Sequence, residues 1–430
     1  MPLNHIERTT NREEFLIMSY SKQMLEALSN SDLAGAQVFF EQAKKEDLPE
    51  ERLQLADNLF QLGFLEESQS LFEQLLEEFK DDALRISLAE IAIENDELEK
   101  AFEWLEQIEE SSDVYPQSLV TQADIYQMLG IPEVSEQKIK AAKVFMPEEP
   151  LLDLSLAELY FASENYKQAI EAYQGLQKQY PSFDSPVSLT ERIGVALSRI
   201  GEFEEAIAYL EKSVEEEETV ERLFQLALTF YQIGENQRAI DLLRQVHLMD
   251  EEFNQVHYPL GQILFDEGEF EEALDVAEAG ISANPYEVML YHLASAAAYS
   301  SNLKEEAKGY LEEVISLEVE VDFSKIKLAE LLLKEEAYEE VIDLLTQLEN
   351  PDQGLAYWYL AQAYYGEERF DKASDFYDKA KDYLLDDAEF IRDFGLFLRE
   401  EGRKEDAMSL LTRYLEMVPG DMEIVSLVEE

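Results

Sequence analysis

The sequence contains no cysteine. Disulfide frameworks, thiolate zinc sites and cysteine nucleophiles are therefore excluded. The absence suits a reducing compartment, and a cytoplasmic location is expected. Glycine and proline are scarce, 16 and 12 in 430 residues. An all-β sandwich or barrel needs more turn residues than that. No apolar run approaches the roughly 18 residues that a membrane span needs. The opening Met-Pro-Leu-Asn-His-Ile-Glu has no basic start, apolar stretch or small-residue cleavage site, so it does not read as a secretory signal. Positive charge is also scarce: 34 Lys and Arg stand against 95 Asp and Glu, a net charge of −61. So negative a surface repels phosphate backbones and anionic bilayers, which argues against nucleic acid or membrane as a partner. It attracts basic peptides and proteins, and it also serves solubility.

Hydrophobic residues make up 46% of the chain, enough for a sizeable core. They are arranged in a repeat. The second of two small positions, often after an acidic pair and before an apolar residue, falls at Ala36, Ser68, Ala101, Ser135, Ala169, Ala206, Ala239, Ala273, Ala307, Val341, Ala373 and Ala407. The steps between them average just under 34 residues. A first small residue lies twelve earlier in most repeats, as at Ala56, Ala89, Ala123, Ala157, Gly194, Ala227, Gly261, Ala329, Ala361 and Gly395. In the repeat ending on Ala307 the pattern slips by one, with Ala294 read in place of Ser295. A large apolar residue often sits three before the second small one, as at Leu65, Tyr166, Phe270 and Phe370. Proline follows twelve after it at Pro147, Pro181, Pro285 and Pro419. Each repeat thus reads as two amphipathic helices. The small residues let their axes approach, and the proline ends the second helix.

The clearest repeats are Leu-Ala-Glu-Leu-Tyr with Asn-Tyr-Lys-Gln-Ala-Ile at 156–170 and Gly-Glu-Phe-Glu-Glu-Ala-Ile at 201–207. Gly-Glu-Phe-Glu-Glu-Ala-Leu at 268–274 and Leu-Ala-Gln-Ala-Tyr with Arg-Phe-Asp-Lys-Ala at 360–373 are as good. These motifs resemble the tetratricopeptide repeat family over about nine tenths of the chain. The resemblance implies an all-α fold, a right-handed superhelical α-solenoid of about twelve helix pairs with a concave, protein-binding groove. Residues 19–419 would form the solenoid and 420–430 a C-terminal capping helix. Residues 1–18 would be an N-terminal extension, disordered or not native. Met18 reads as the natural start, and a short leading helix through Glu13, Glu14, Phe15 and Leu16 is the alternative.

Two stretches interrupt the period. Residues 181–188 lengthen a turn. Residues 315–324 alternate like a strand but fall between repeats, ahead of a helix expected at about Lys325. Both read as local deformations of one solenoid.

Catalytic signatures are missing. There is no His-Glu-x-x-His pair and no glycine-rich phosphate loop. His257 and His292 lie one repeat apart and could approach each other, but without further ligands they read as packing residues. No cofactor, metal or catalytic residue is expected, and the chain is not read as an enzyme.

Part of the acidity has a structural role. Pairs such as Glu66-Glu67 and Glu204-Glu205 open second helices, where negative charge suits the helix dipole. The stretch between Arg244 and Lys304 holds eleven acidic residues and no Lys or Arg. In it Asp250, Glu251, Glu252, Glu269, Glu271 and Glu272 form a candidate steering face for a basic partner.

Carrying the family's register across places the inner wall three before, one after and four after each first small residue. These positions are Phe224, Leu228 and Tyr231; Tyr258, Gln262 and Phe265; Tyr291, Ser295 and Ala298; Ile326, Glu330 and Leu333; and Trp358, Gln362 and Tyr365. The family's best-known peptide clamp uses Lys, Asn and Arg here, and this wall lacks that set. An aromatic and amide wall suits an extended or helical segment with apolar anchors. The expected function is a scaffold or adaptor for a basic protein or peptide. The alternatives are a peptide-sensing regulator, which would need an effector module, and an enzyme with an unrecognised groove site. The apolar residues between Met422 and Val428 add a weak homodimer through the C-terminal end, and Asp421 is expected to cap that last helix.

Overall fold

The computed structural model describes residues 18–350 and 353–429. The proposed leading helix through Glu13 to Leu16 lies outside them. Among the described residues there are 25 α-helices, one 3-10 turn and no strand. The described residues form two compact units, divided between Tyr209 and Leu210.

In the first unit the helices run α1 (Tyr20–Ser29), α2 (Leu33–Glu46), α3 (Pro49–Gln61), α4 (Leu65–Phe79), α5 (Asp82–Glu94) and α6 (Leu98–Leu105). They continue with α7 (Tyr115–Met128), α8 (Pro132–Phe145), α9 (Pro150–Ala162), α10 (Tyr166–Gln179), α11 (Leu189–Arg199) and α12 (Phe203–Glu216), within which the boundary falls. The second unit has α13 (Val220–Gln232), α14 (Asn236–Met249), α15 (His257–Asp266), α16 (Phe270–Ala283), α17 (Val288–Ser300) and α18 (Lys304–Ser316). It ends with α19 (Val321–Lys334), α20 (Tyr338–Leu345), α21 (Gly354–Gly366), α22 (Phe370–Leu384), α23 (Ala388–Glu400), α24 (Lys404–Met417) and α25 (Met422–Glu429). Within each unit the substantial helix contacts join neighbours one or two places apart in the chain, as in a solenoid.

Close approach inside each pair explains the small residues. All twelve second small positions, from Ala36 to Ala407, are at most 2% exposed. In two pairs a hydroxyl marks the contact directly. Ser68 Oγ donates to the Ala56 carbonyl at 2.8 Å, and Ser295 Oγ donates to the Ala307 carbonyl at 2.8 Å. A Cβ added to Gly395 would lie 2.7 Å from Leu411 Cδ2, so that first position has no room for a side chain.

The turn inside each pair is equally regular. Five residues before every second small position the backbone is left-handed. Gly63, Gly130, Gly201, Gly234, Gly268 and Gly402 hold this place in six repeats. Ser31, Asp96, Glu164, Asn302, Glu336 and Glu368 hold it in the others. The next amide then reaches back five residues, as Asn165 N–H does to the Tyr160 carbonyl at 2.8 Å, closing a Schellman-type cap. No atom lies within 4 Å of a Cβ built on Gly268, so the turn requires a backbone conformation and not space. That is why glutamate is tolerated there at a conformational cost.

Each irregular stretch contains a turn between helix pairs, at 181–188 and at 317–320. Residues 181–188 form an extended connection that ends where Ser188 Oγ accepts from the Glu191 amide. After Ser316 the chain turns through Glu318 and Glu320, both left-handed. The helix begins at Val321, four residues earlier than expected.

Replacing Glu164, Glu336 or Glu368 by glycine should raise stability by about 0.5–1 kcal/mol each, because glycine adopts the left-handed conformation without a Cβ penalty. Gly268→Ala should lower it by about 1 kcal/mol. Urea-denaturation midpoints of the single variants check both directions.

Candidate functional site

The first helices of successive repeats present one face away from their second helices. In the second unit α15, α17 and α19 line a cleft of about 370 Å³. From α15 come Tyr258, Gln262 and Phe265, three of the residues expected on the wall. The next helix supplies His292, Ala296 and Tyr299 beside the expected Ser295, while the expected Tyr291 and Ala298 do not line the cleft.

The reason is a one-residue register error. The Ser295 hydrogen bond to Ala307, twelve residues on, shows that Ser295 and not Ala294 is the first small residue in phase. Three before, one after and four after Ser295 are His292, Ala296 and Tyr299. Tyr291 therefore turns inward. It is 1% exposed, packs with Val288 and Val314, and donates its hydroxyl to the Pro285 carbonyl at 3.2 Å. Holding the twelve-residue spacing strictly would have found His292 and Tyr299 from sequence. Lys327 and Lys334 of α19 were missed for another reason. Each gap between first helices has two sides, and the second side comes from positions two before and five after the small residue.

The polar groups of the cleft are largely engaged. Glu330 lies between Lys334 at 2.9 Å and Lys327 at 3.4 Å. Burial pushes its carboxyl up, but the two lysines outweigh this and hold it below the usual carboxylate range. Lys334 also sits over the Tyr299 ring, 5.5 Å from its centroid. The His292 ring packs edge-on against Phe323 at 5.1 Å, and its Nε2 lies 3.0 Å from Ser324 Oγ. Its Nδ1 is buried without a partner among the described residues. Burial and then the nearby Lys327 charge lower the His292 pKa to about 4. His257 meets His247, with ring centroids 5.5 Å apart, and not His292 as its position suggested. No group of three metal-ligating side chains occurs among the described residues.

The remaining wall residues bridge to the next repeat. Tyr231 donates to Asp266 Oδ2 at 2.6 Å, and Gln262 Nε2 to the other oxygen at 2.8 Å. The bond to Asp266, with burial, raises the Tyr231 phenol to about 12. Phe224 is 8% exposed, with its ring against Phe253. Trp358 is also 8% exposed, and its Nε1 donates to Asp393 Oδ2 at 2.6 Å. Gln362 Nε2 and the Tyr377 hydroxyl donate to the same oxygen at 3.0 and 2.7 Å. Tyr365 remains exposed and donates to Glu400. The structure therefore brings Tyr258, Gln262 and Phe265 into the cleft, places Phe224, Tyr291 and Trp358 in packing, and leaves Tyr231 and Tyr365 on the rim of neighbouring repeats.

The acidic set stands apart from the cleft. Asp250, Glu251 and Glu252 lie in the turn before α15, and Glu269, Glu271 and Glu272 at the start of α16. All six are exposed and none lines the cleft. Glu272 is paired with Arg244 at 2.5 Å. At the C-terminal end Asp421 Oδ1 accepts from the Glu423 and Ile424 amides, at 3.1 and 3.2 Å, and caps α25. Ile424 is buried against its own repeat, while Met422 is 70% exposed.

Truncating Tyr291 or Trp358 to Ala should cost about 3–5 kcal/mol of stability, the penalty for removing a buried aromatic. Thermal melts of the single variants test this against the smaller loss expected of a surface side chain. His292 should titrate with a midpoint near 4 by NMR. Its folded pKa lies below the unfolded value of 6.5, so its contribution to stability is present above pH 6.5 and lost as pH falls toward 4. His292→Gln should flatten that part of the wild-type stability profile.

Comparison with known proteins agrees with this architecture. Residues 355–421 match the YpiA-like C-terminal tetratricopeptide repeats, and residues 127–180 the YpiA-like tetratricopeptide repeats. Residues 154–219 match a general tetratricopeptide repeat. The TPR repeat-containing protein YpiA of Bacillus subtilis (strain 168) is 33% identical over 381 residues, which span 87% of this chain and 89% of that protein. Among solved structures, the APC/C hetero-tetramer Cut9-Hcn1 is 13% identical, covers 95% of each chain and has a TM-score of 0.43. Yeast Tom70 is 14% identical over 89% of this chain and 95% of its own, with a TM-score of 0.43. Repeat phase, helix pairing and close similarity along most of its length show that the chain belongs to the YpiA-like family of tetratricopeptide repeat proteins.

Proposed function

We propose that the protein is a protein-interaction scaffold that holds a partner segment by an apolar or aromatic anchor in the cleft between α15, α17 and α19. The observation that carries this reading is the cleft itself. Tyr258, Phe265, Met289, Tyr299 and Phe323 converge there from three successive first helices. Aromatic side chains collected in a recess give a partner side chain a desolvated seat, where most binding energy concentrates. Membership of a tetratricopeptide repeat family supports a non-catalytic scaffold.

The net charge of −61 favours basic partners and faster encounter with them. The acidic groups at Asp250–Glu252 and Glu269–Glu272 act in this reading at a distance, through the field, since they do not line the cleft. No helix among the described residues is long and apolar enough to cross a membrane. A cysteine-free chain suits action in the cytoplasm.

The test is affinity capture from cell lysate with the full chain and with a Phe265→Ala, Tyr299→Ala variant. The variant should keep its helical circular dichroism and lose captured protein by about tenfold, corresponding to roughly 1.4 kcal/mol. Raising salt should slow association with the captured partner while leaving dissociation nearly unchanged. Equal capture by both forms would remove the cleft from the function.

A further inference from the structure

Four successive first helices of the first unit carry a carboxylate at one fixed place, the residue after the small one. It is Asp57 on α3, Glu90 on α5, Asp124 on α7 and Glu158 on α9. The fourth of these is already occupied by a cation of the chain itself. Arg192 from α11 places Nε 3.0 Å from Glu158 Oε1 and a terminal nitrogen 3.0 Å from Oε2. Its guanidinium carbon lies over the Phe161 ring, 4.9 Å from the centroid. Tyr173, fully buried, holds Glu158 from behind with a 2.6 Å hydrogen bond. The arrangement is a guanidinium seat: a side-on carboxylate beside an aromatic or apolar face three residues further along the helix.

Two of the preceding repeats share the carboxylate and the apolar face: Asp57 has Phe60 three residues on, and Glu90 has Ile93, whereas Asp124 has Gln127. The position that supplies Arg192 is two before the small residue of the following repeat. In the earlier repeats that position is Ser87, Thr121 and Ser155, which are too short to reach a carboxylate on the neighbouring helix. Asp57, Glu90 and Asp124 have no cationic partner among the described residues. All three stand one residue after the small residue of successive first helices, which puts them on one face. Burial raises the carboxyl pKa of each, and for Glu90 the charges of Asp57 and Asp124 add to it. Such a row is electrostatically unfavourable on its own and is relieved by a cation.

We infer that the face of α3, α5 and α7 binds an extended basic segment of a partner protein, with an arginine at about every third residue seated on Asp57, Glu90 and Asp124 in turn. The spacing follows from geometry. Packed helices lie about 10 Å apart, and a chain extended as a polyproline II helix rises about 3.1 Å per residue with three residues per turn, so every third side chain returns to the same face. Arginine is favoured over lysine because the Glu158 seat uses both a planar fork and a ring face. The inference rests on the first-helix wall being a partner-binding surface, and it adds the chemistry of the ligand in the first unit.

The test uses the full chain and two fluorescein-labelled peptides of the same composition. One has three arginines separated by pairs of alanines, and the other has the three arginines adjacent. Fluorescence anisotropy should show the spaced peptide binding at least about fivefold more tightly. The Asp57→Asn, Glu90→Gln, Asp124→Asn triple variant should lose about tenfold or more in affinity for it. A control triple, Glu66→Gln, Glu99→Gln, Glu133→Gln, removes the same charge from exposed first turns of α4, α6 and α8 and should change affinity less than about twofold. The wall triple should melt no lower than wild type, because it relieves repulsion. Equal losses in both triples, or no preference for spacing, would overturn the inference by reducing the effect to net charge. So would a wall triple that unfolds. If capture of a natural partner still depends on Phe265 and Tyr299 in that case, the scaffold reading survives and only the arginine seats fail.

Discussion

The structure depends on how closely the two helices of each pair approach. A side chain larger than a methyl or hydroxymethyl group at either small position tends to hold the axes apart, and only Val341 and, in the first pair, the flexible Met24 exceed that size. Because these residues sit twelve apart, they face each other across the turn, and the Ser68 and Ser295 hydroxyls bond over that same interval. The approach also requires a tight reversal, supplied by the left-handed residue five before the second small position. Packing and turn are thus two halves of one constraint, repeated twelve times. Six repeats meet the turn requirement with glycine and six with Ser, Asp, Asn or Glu, which shows that the packing is strong enough to impose the conformation.

Once the pairs are built this way, the first helices are left with a face that no second helix covers. What that face carries differs between the two units. In the first unit it holds a row of carboxylates, one of them already neutralised by Arg192. In the second unit it holds aromatic side chains, with Glu330 shared between two lysines. Each face has its own electrostatic logic. The row accumulates like charge and attracts cations, whereas the cleft sets one carboxylate between two lysines and offers apolar surface. A partner with both basic and apolar elements would satisfy both kinds of surface.

The phase of the small residues was legible in the sequence because only small side chains are tolerated where two helices touch. The family, the helix pairs, the absence of strands among the described residues and the turns at 181–188 and 317–320 all follow from that periodic signal and its interruptions. The aromatic wall was legible only in part. Tyr258, Gln262 and Phe265 line the cleft, in phase with Gly261, an unambiguous small residue. Tyr291 was misplaced because Ala294 and Ser295 are both small, and a shift of one residue turns a helix by about 100°. That rotation exchanges a core residue for a wall residue.

Composition and spacing by themselves determined that this chain is an acidic, all-helical repeat protein, because helix periodicity and steric exclusion are local and additive along the chain. Tertiary structure alone decided which polar groups satisfy one another. Asp393 gathers Trp358, Gln362 and Tyr377, Glu330 takes two lysines, and Arg192 reaches Glu158. Those partners sit up to 35 residues apart, and in a sequence with 95 acidic residues no spacing rule singles them out. Their meeting depends on the angular position of each side chain around its helix and on which side of the gap between neighbouring first helices it emerges, and both are set only when the pairs stack.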